Sequence, residues 1–163
     1  MISDIHKFLV QNKKTISTCE SITGGAISSK LISKPGSSIF FKGSVVVYND
    51  EVKSKILGID LKKIKKLSAV SQQISLEMAL SAKNIFDSDY CIATTGNAGP
   101  SNYDEISKTG QVYITVITPE KIITEEYTLS GVRSKNIEKT VNFAIDLPVS
   151  YTHLTLPTKN EVL

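Results

Sequence analysis

The run Cys19-Glu20-Ser21-Ile22-Thr23-Gly24-Gly25 has the residue types of a catalytic turn. It follows the β-prone run Thr15-Ile16-Ser17-Thr18 and precedes a helix-prone one, 26–34. A serine thus stands where a strand hands over to a helix, with two glycines beside it. The first N–H groups of a helix have no partner inside it, and they favour an anion or a developing oxyanion. Glycine lets the backbone turn sharply and lets a ligand approach it closely. A hydroxyl in such a place becomes a nucleophile if a base lies within reach. Ser and Thr before Gly-Gly also make an ordinary N-cap and tight turn, so the rest of the chain must decide between the two.

A second glycine-rich turn, Thr95-Gly96-Asn97-Ala98-Gly99-Pro100, follows the strand-like run 89–94. It too sits at a strand's carboxyl end. A third candidate is the basic run Lys62, Lys63, Lys65 and Lys66, with Leu61, Ile64 and Leu67 spaced at three. That spacing gives one or two helical turns with a buried stripe, and the lysines then form a solvated face. A phosphate- or nucleic-acid-binding patch is the alternative, but no aromatic residue interleaves the lysines.

Composition narrows the chemistry. The chain has 163 residues, 40% hydrophobic and 21% charged, which suits one domain with a real core. A net charge of +3 is too small to argue for nucleic acid. Cys19 and Cys91 lie in apolar, strand-like runs without metal-type spacing, and are expected to be buried reduced thiols. His6 and His153 are the only histidines, and neither has a neighbouring ligand set. A histidine-based triad or a zinc site is therefore poorly supported, and neither metal nor cofactor is expected. No apolar run approaches membrane-spanning length. Residues 1–14 read as an amphipathic helix rather than a signal peptide, so a cytoplasmic location without membrane contact is expected.

The elements that must position these residues follow from periodicity. Ser3 or Asp4 is expected to cap a first helix carrying Ile5, Phe8 and Leu9. The strand and the Ser21 junction come next, then a helix with Ile27 and Leu31 four apart that stops before Pro35-Gly36. The segment 40–48 is the clearest strand; its consecutive valines 45, 46 and 47 suggest burial on both faces. Asn49 or Asp50 caps a short helix ended by Gly58, and Ser71 caps a long one over 72–86. The loop 101–109 is polar and expected to be mobile. Segments 111–117 and 121–129 form a hairpin across Thr118-Pro119-Glu120. A last helix presents Ile137, Val141, Ala144 and Ile145. The order αβαβααβ, a hairpin, then α predicts an α/β fold: three layers, α/β/α, around a central mixed sheet. Ligands of open α/β sheets gather outside the carboxyl ends of the strands, and Ser21, Tyr48 and Thr95 all fall there.

At Leu147-Pro148 the helical pattern stops. The run Val149-Ser150-Tyr151-Thr152-His153-Leu154-Thr155-Leu156-Pro157-Thr158 resembles translated sequencing-adapter read-through known from assembled metagenomes. One domain over 1–147 is therefore expected, followed over 148–163 by a non-native or disordered tail that packs poorly.

Five segments occur in one order: Glu20-Ser21-Ile22-Thr23-Gly24-Gly25, Val46-Val47-Tyr48-Asn49-Asp50-Glu51-Val52-Lys53, Val70-Ser71, Thr95-Gly96-Asn97-Ala98-Gly99-Pro100 and Gly131-Val132-Arg133. Together they resemble the C-terminal domain family of the competence/damage-inducible protein CinA, the nicotinamide-nucleotide amidohydrolases, over about residues 2–147. The resemblance implies hydrolysis of the carboxamide of nicotinamide mononucleotide to nicotinate mononucleotide and ammonia, by a Ser/Lys mechanism without metal. Ser21 matches the nucleophile and Lys53 the general base; Tyr48, Thr95 and Arg133 match further pocket positions. A lysine base must be neutral, so its surroundings must lower its pKa from about 10.4. Tyr48 is expected to hydrogen-bond that amine and help shuttle protons. Backbone N–H groups at Thr23, Gly24 and Gly25, or in the turn Thr95, Asn97 and Gly99, are expected to hold the oxyanion or the substrate phosphate. Arg133 is expected to grip a phosphate or carboxylate, and Glu20 to orient backbone or Lys53. Three positions depart from the family pattern: Ser101 and Asn102 replace further glycine, and Ile137 stands where a second arginine is common. The partner implied is a small nucleotide, with a homodimer as the candidate assembly and nucleic acid disfavoured. The competing function is a non-catalytic nucleotide-binding or competence-related interaction module.

Overall fold

The computed structural model describes residues 2–161. Helix α1 (Ile2–Gln11) leads to strand β1 (Ile16–Glu20), helix α2 (Ala26–Leu31), a 3-10 turn (Ser37–Ile39) and strand β2 (Phe41–Val46). Helices α3 (Asp50–Leu57), α4 (Leu61–Leu67) and α5 (Gln72–Phe86) follow, then strands β3 (Tyr90–Gly96), β4 (Gln111–Ile117) and β5 (Ile122–Thr128), and helix α6 (Arg133–Glu161). The strands form one sheet in the order β2-β1-β3-β4-β5. β1 runs parallel to β2 and β3, while β4 is antiparallel to β3 and β5. The fold is the expected three-layer α/β/α arrangement around a mixed sheet. None of the described helices is long and apolar enough to cross a membrane.

Alternation along the strands splits the core in two. Ile16, Tyr90, Ile92, Val112, Ile114 and Val116 face one cluster with Ile5 and Leu9 of α1, Ile27 and Leu31 of α2, and Val141, Ala144 and Ile145 of α6. Cys19, Cys91, Ala93 and Ile117 face the other, with Leu57 of α3, Ile64 of α4, and Ile74, Met78, Ala79 and Ala82 of α5. Each fully buried aliphatic side chain of this kind contributes about 1.5–3 kcal/mol. The same alternation sends Glu20 towards α2 and Ser21 towards α3.

Local signals set several boundaries as expected. Asn49 Oδ1 accepts the Val52 N–H at 2.9 Å, Gly58 ends α3 at φ 72°, and Ser71 Oγ accepts the Ile74 N–H at 3.3 Å. The helix α1 already includes Ser3 and Asp4, so neither is its cap; Asp4 instead sits in the first turn, where a carboxylate complements the helix dipole. The lysine run forms α4, the middle one of three helices between β2 and β3, with Ile64 fully buried and Lys63 paired to Glu77 at 2.9 Å.

Two further expectations fail. Strand β2 is not buried on both faces: it is a sheet edge with a single neighbour, and Val46 is 48% exposed. Consecutive valines report β-propensity, and only the number of neighbouring strands decides burial. The final helix does not stop at Pro148 either, but continues to Glu161. Val149 is buried and Tyr151 packs partly against the same cluster as α1, so the segment just past Pro148 does not pack poorly. Proline removes one helical hydrogen bond and crowds the preceding turn, and burial of the flanking apolar groups offsets that cost. The side chains of 152–163, on which the rest of the expected tail falls, lie outside the described residues.

Candidate active site

Ser21 is fixed by the strands on either side of it. Its N–H donates to Thr94 O on β3 at 3.0 Å, and the preceding Glu20 O accepts from Val47 N at 2.9 Å. Ser21 is 7% exposed and opens onto a cleft of about 240 Å3, lined also by Ile22, Lys53, Val70, Thr95 and Tyr103. The cleft lies at the carboxyl ends of β1 and β3, with Tyr48 and Arg133 at its walls.

Lys53 comes from the first turn of α3. It is 1% exposed, and its Nζ lies 3.2 Å from Ser21 Oγ and donates to Tyr48 O at 3.0 Å. Burial lowers its pKa below the usual lysine value, against the opposing pull of the Asp50 carboxylate. Helical phase explains why this lysine and not Lys55 turns inward: Lys53 and Leu57 are four apart and both buried, whereas Lys55 falls on the solvent side.

The turn after Ser21 is built otherwise than expected. Glu20 is fully buried, and its carboxylate accepts the N–H groups of Gly25 (3.1 Å), Ile27 (2.9 Å) and Ser28 (2.9 Å). It also accepts from the hydroxyls of Thr23 and Ser28. The Gly24 N–H goes to Ser21 O at 3.1 Å. Thr23 Oγ1 lies 2.8 Å from Thr94 Oγ1. The amides of Gly24 and Gly25 are thus satisfied inside the protein, and Thr23, Gly24 and Gly25 are not among the residues that line the cleft. The positive φ of Gly24 (56°) and Gly25 (100°) shapes the turn. A carboxylate placed on the helix start by strand alternation takes the position an anionic ligand would occupy.

The second glycine-rich turn does reach the cleft, but its polar side chains are engaged in building it. Thr95 Oγ1 donates to Ala69 O at 2.8 Å and so holds the wall formed by Ala69 and Val70. The buried Asn97 donates through Nδ2 to Ser107 Oγ (2.8 Å) and Lys108 O (2.9 Å), and its Oδ1 accepts the Tyr103 N–H (2.9 Å). Gly99 O accepts from Arg133 Nη1 at 2.8 Å. Arg133 Nη2 donates to the Tyr48 phenol oxygen at 3.1 Å. The Tyr48 phenol therefore meets Arg133, and only the Tyr48 carbonyl meets Lys53. The expected bond from phenol to amine is absent because Tyr48 is 58% exposed and points along the mouth. Tyr103, Ala69 and Asp50 carried no functional signal in the sequence; a polar loop and a helix cap were all their positions suggested.

Fold and site together define a three-layer α/β domain with a buried serine–lysine pair at the carboxyl edge of its parallel strands. The chain matches the family model of the CinA C-terminal domain over residues 1–151 and belongs to that family. It is 43% identical over 86% of its length to a CinA-like protein of Flavobacterium psychrophilum, and 42% identical over 88% to one of Fervidobacterium nodosum. It covers 34% and 35% of those proteins, about a third of their length. Among solved structures, a competence or damage-inducible protein from Enterobacter asburiae superposes with a TM-score of 0.88 at 29% identity, over 92% of this chain and 94% of that one. A CinA superfamily protein from Escherichia coli gives 0.87 at 27% identity, over 91% and 86%.

Proposed function

We propose that the domain hydrolyses a carboxamide, that of nicotinamide mononucleotide, with Ser21 as nucleophile and Lys53 as general base. The observation that carries this reading is the 3.2 Å separation of Lys53 Nζ and Ser21 Oγ, with the lysine only 1% exposed. A serine hydroxyl needs a base to attack an amide. A buried amine with a lowered pKa is neutral often enough to supply one. Lys53 takes the Ser21 proton as Oγ attacks the carbonyl carbon. It returns that proton to the leaving nitrogen, so that ammonia departs and an ester to Ser21 remains. Water then attacks the ester with Lys53 again accepting a proton, and the carboxylate product leaves as Ser21 recovers its hydrogen. The family resemblance supplies the substrate, and the cleft, with Arg133 at its wall, suits a small phosphorylated nucleoside.

Ammonia release from nicotinamide mononucleotide tests the proposal. Ser21→Ala and Lys53→Ala are each expected to lower kcat by about 1,000-fold or more. Full activity in both would rule out the pair. A non-catalytic interaction module would instead show ligand binding indifferent to Ser21→Ala and no turnover in the parent protein.

A further inference from the structure

Asp50 occupies an unusual position next to this pair. It stands in the first turn of α3, three residues before Lys53 and hence on a neighbouring part of the same helical surface. Its Oδ1 is buried and has no hydrogen-bond partner. An orphaned carboxylate oxygen is costly, and each such atom calls for an explanation. The cleft-lining Tyr103 is a neighbour of the same carboxylate: burial and Asp50 together push the phenol pKa up to about 12. The backbone of Tyr103 is held in turn by Asn97.

We propose that Asp50 is a positioning residue for the Ser21–Lys53 pair, its half-buried carboxylate serving as countercharge to the ammonium that forms when Lys53 takes the serine proton. The role rests on the hydrolytic reading above. Every group that faces Lys53 fits it. From β1, the fully buried Cys19 thiol is held protonated, because burial raises its pKa well above the usual range. The Glu20 carboxylate is turned to α2. Arg133 at the mouth is engaged by Gly99 and Tyr48, and the Tyr103 phenol has Asp50, not Lys53, as its charged neighbour. Asp50 is therefore the negative group that opposes the effect of burial on Lys53. It keeps the amine basic enough to remove a proton, and it compensates the charge that appears on a side chain that is 1% exposed.

The test is a pair of titrations on the full chain, with and without Asp50→Asn. One follows kcat/KM for ammonia release from nicotinamide mononucleotide against pH. The other follows the 13Cε shift of Lys53 in lysine-labelled protein, assigned by its loss in Lys53→Met. Removing the countercharge is expected to move the Lys53 midpoint, and with it the acid limb of the rate profile, by about one pH unit towards acid. The plateau kcat is expected to fall roughly tenfold, as a weaker base predicts. Asp50→Glu, which keeps the charge, is expected to titrate close to the parent. An unmoved Lys53 midpoint in Asp50→Asn overturns the proposal, even if activity drops, because a merely structural aspartate would lower the rate without moving the titration. A moved midpoint in a protein that releases no ammonia supports the countercharge and refutes the hydrolytic reading instead. Should the asparagine variant not fold, Asp50→Ser gives the same neutral first turn.

Discussion

At Lys53 the demands of stability and of chemistry oppose each other. A lysine that is 1% exposed must either lose its proton or keep a charge away from water, and both cost free energy. Burial lowers its pKa in the folded protein, whereas the unfolded value is the ordinary 10.5. Between the folded midpoint and pH 10.5 the unfolded chain therefore binds more protons, and stability rises with pH across that window. Lys53→Met, which fills the same space without the charge, is expected to raise stability at pH 7 by on the order of 1 kcal/mol while removing activity. That advantage should shrink as pH rises towards 10.5, because the unfolded lysine then loses its proton as well and folding no longer releases one. Thermal melts at pH 7 and pH 10 check both parts; a variant equally or less stable at pH 7 would contradict them. Lys53 was visible in the sequence only through family likeness, because an inward and an outward lysine differ solely in helical phase. Leu57 four residues on, followed by Gly58, is the local clue to that phase.

Among the connecting elements, the loop 101–109 departs furthest from its sequence. Nothing apolar repeats in it, and it reads as a mobile polar stretch. In the fold it is tied down by one buried side chain: Asn97 reaches Tyr103, Ser107 and Lys108. Asp104 Oδ1 then accepts from the N–H groups of Ile106 and Ser107, at 3.0 and 2.8 Å. Bonds spanning 6 to 11 residues leave no periodic trace, which is why the loop was illegible while the helices and the hairpin were not. The same holds at Glu20: the glycines after Ser21 signalled a turn, but nothing in their spacing showed that a carboxylate from the strand would take up their amides. Asn97→Ala leaves the Tyr103 N–H, Ser107 Oγ and Lys108 O without their buried partner, at a cost of about 1–3 kcal/mol. Because Tyr103 lines the cleft, the expected result is a KM for nicotinamide mononucleotide raised about tenfold, with a smaller change in kcat. Steady-state kinetics with a parallel melt distinguish this from general unfolding, and an unchanged KM in a folded variant would show that the loop does not shape the site.

For the whole molecule, the question is how far α6 belongs to the domain. The sequence pattern breaks at Pro148, yet the family model reaches residue 151, and so does the packing. Val149 is 7% exposed within the cluster that includes Ile5, Ile92 and Ile145. The Tyr151 phenol bonds to Glu125 of β5, and its ring lies 5.0 Å from Lys121 Nζ. These contacts join the last helix to the far edge of the sheet, away from the cleft, so they bear on stability and not on Ser21. Burial of Val149 alone is worth about 1.5–3 kcal/mol. A chain ended after Leu147 loses it together with the Tyr151 contacts, and its Tm is expected to fall by about 6–12 °C for a domain of this size. The variant that keeps 148–151 and replaces Val149 with Asp should fall comparably, since it buries a carboxylate in an apolar cluster. Equal melting of all three proteins would mean that the domain is complete at Leu147 and that the helix beyond it adds nothing to the fold. A fall in both variants, with ammonia release per folded molecule unchanged at low temperature, would place residues 148–151 inside the cooperative unit and outside the site.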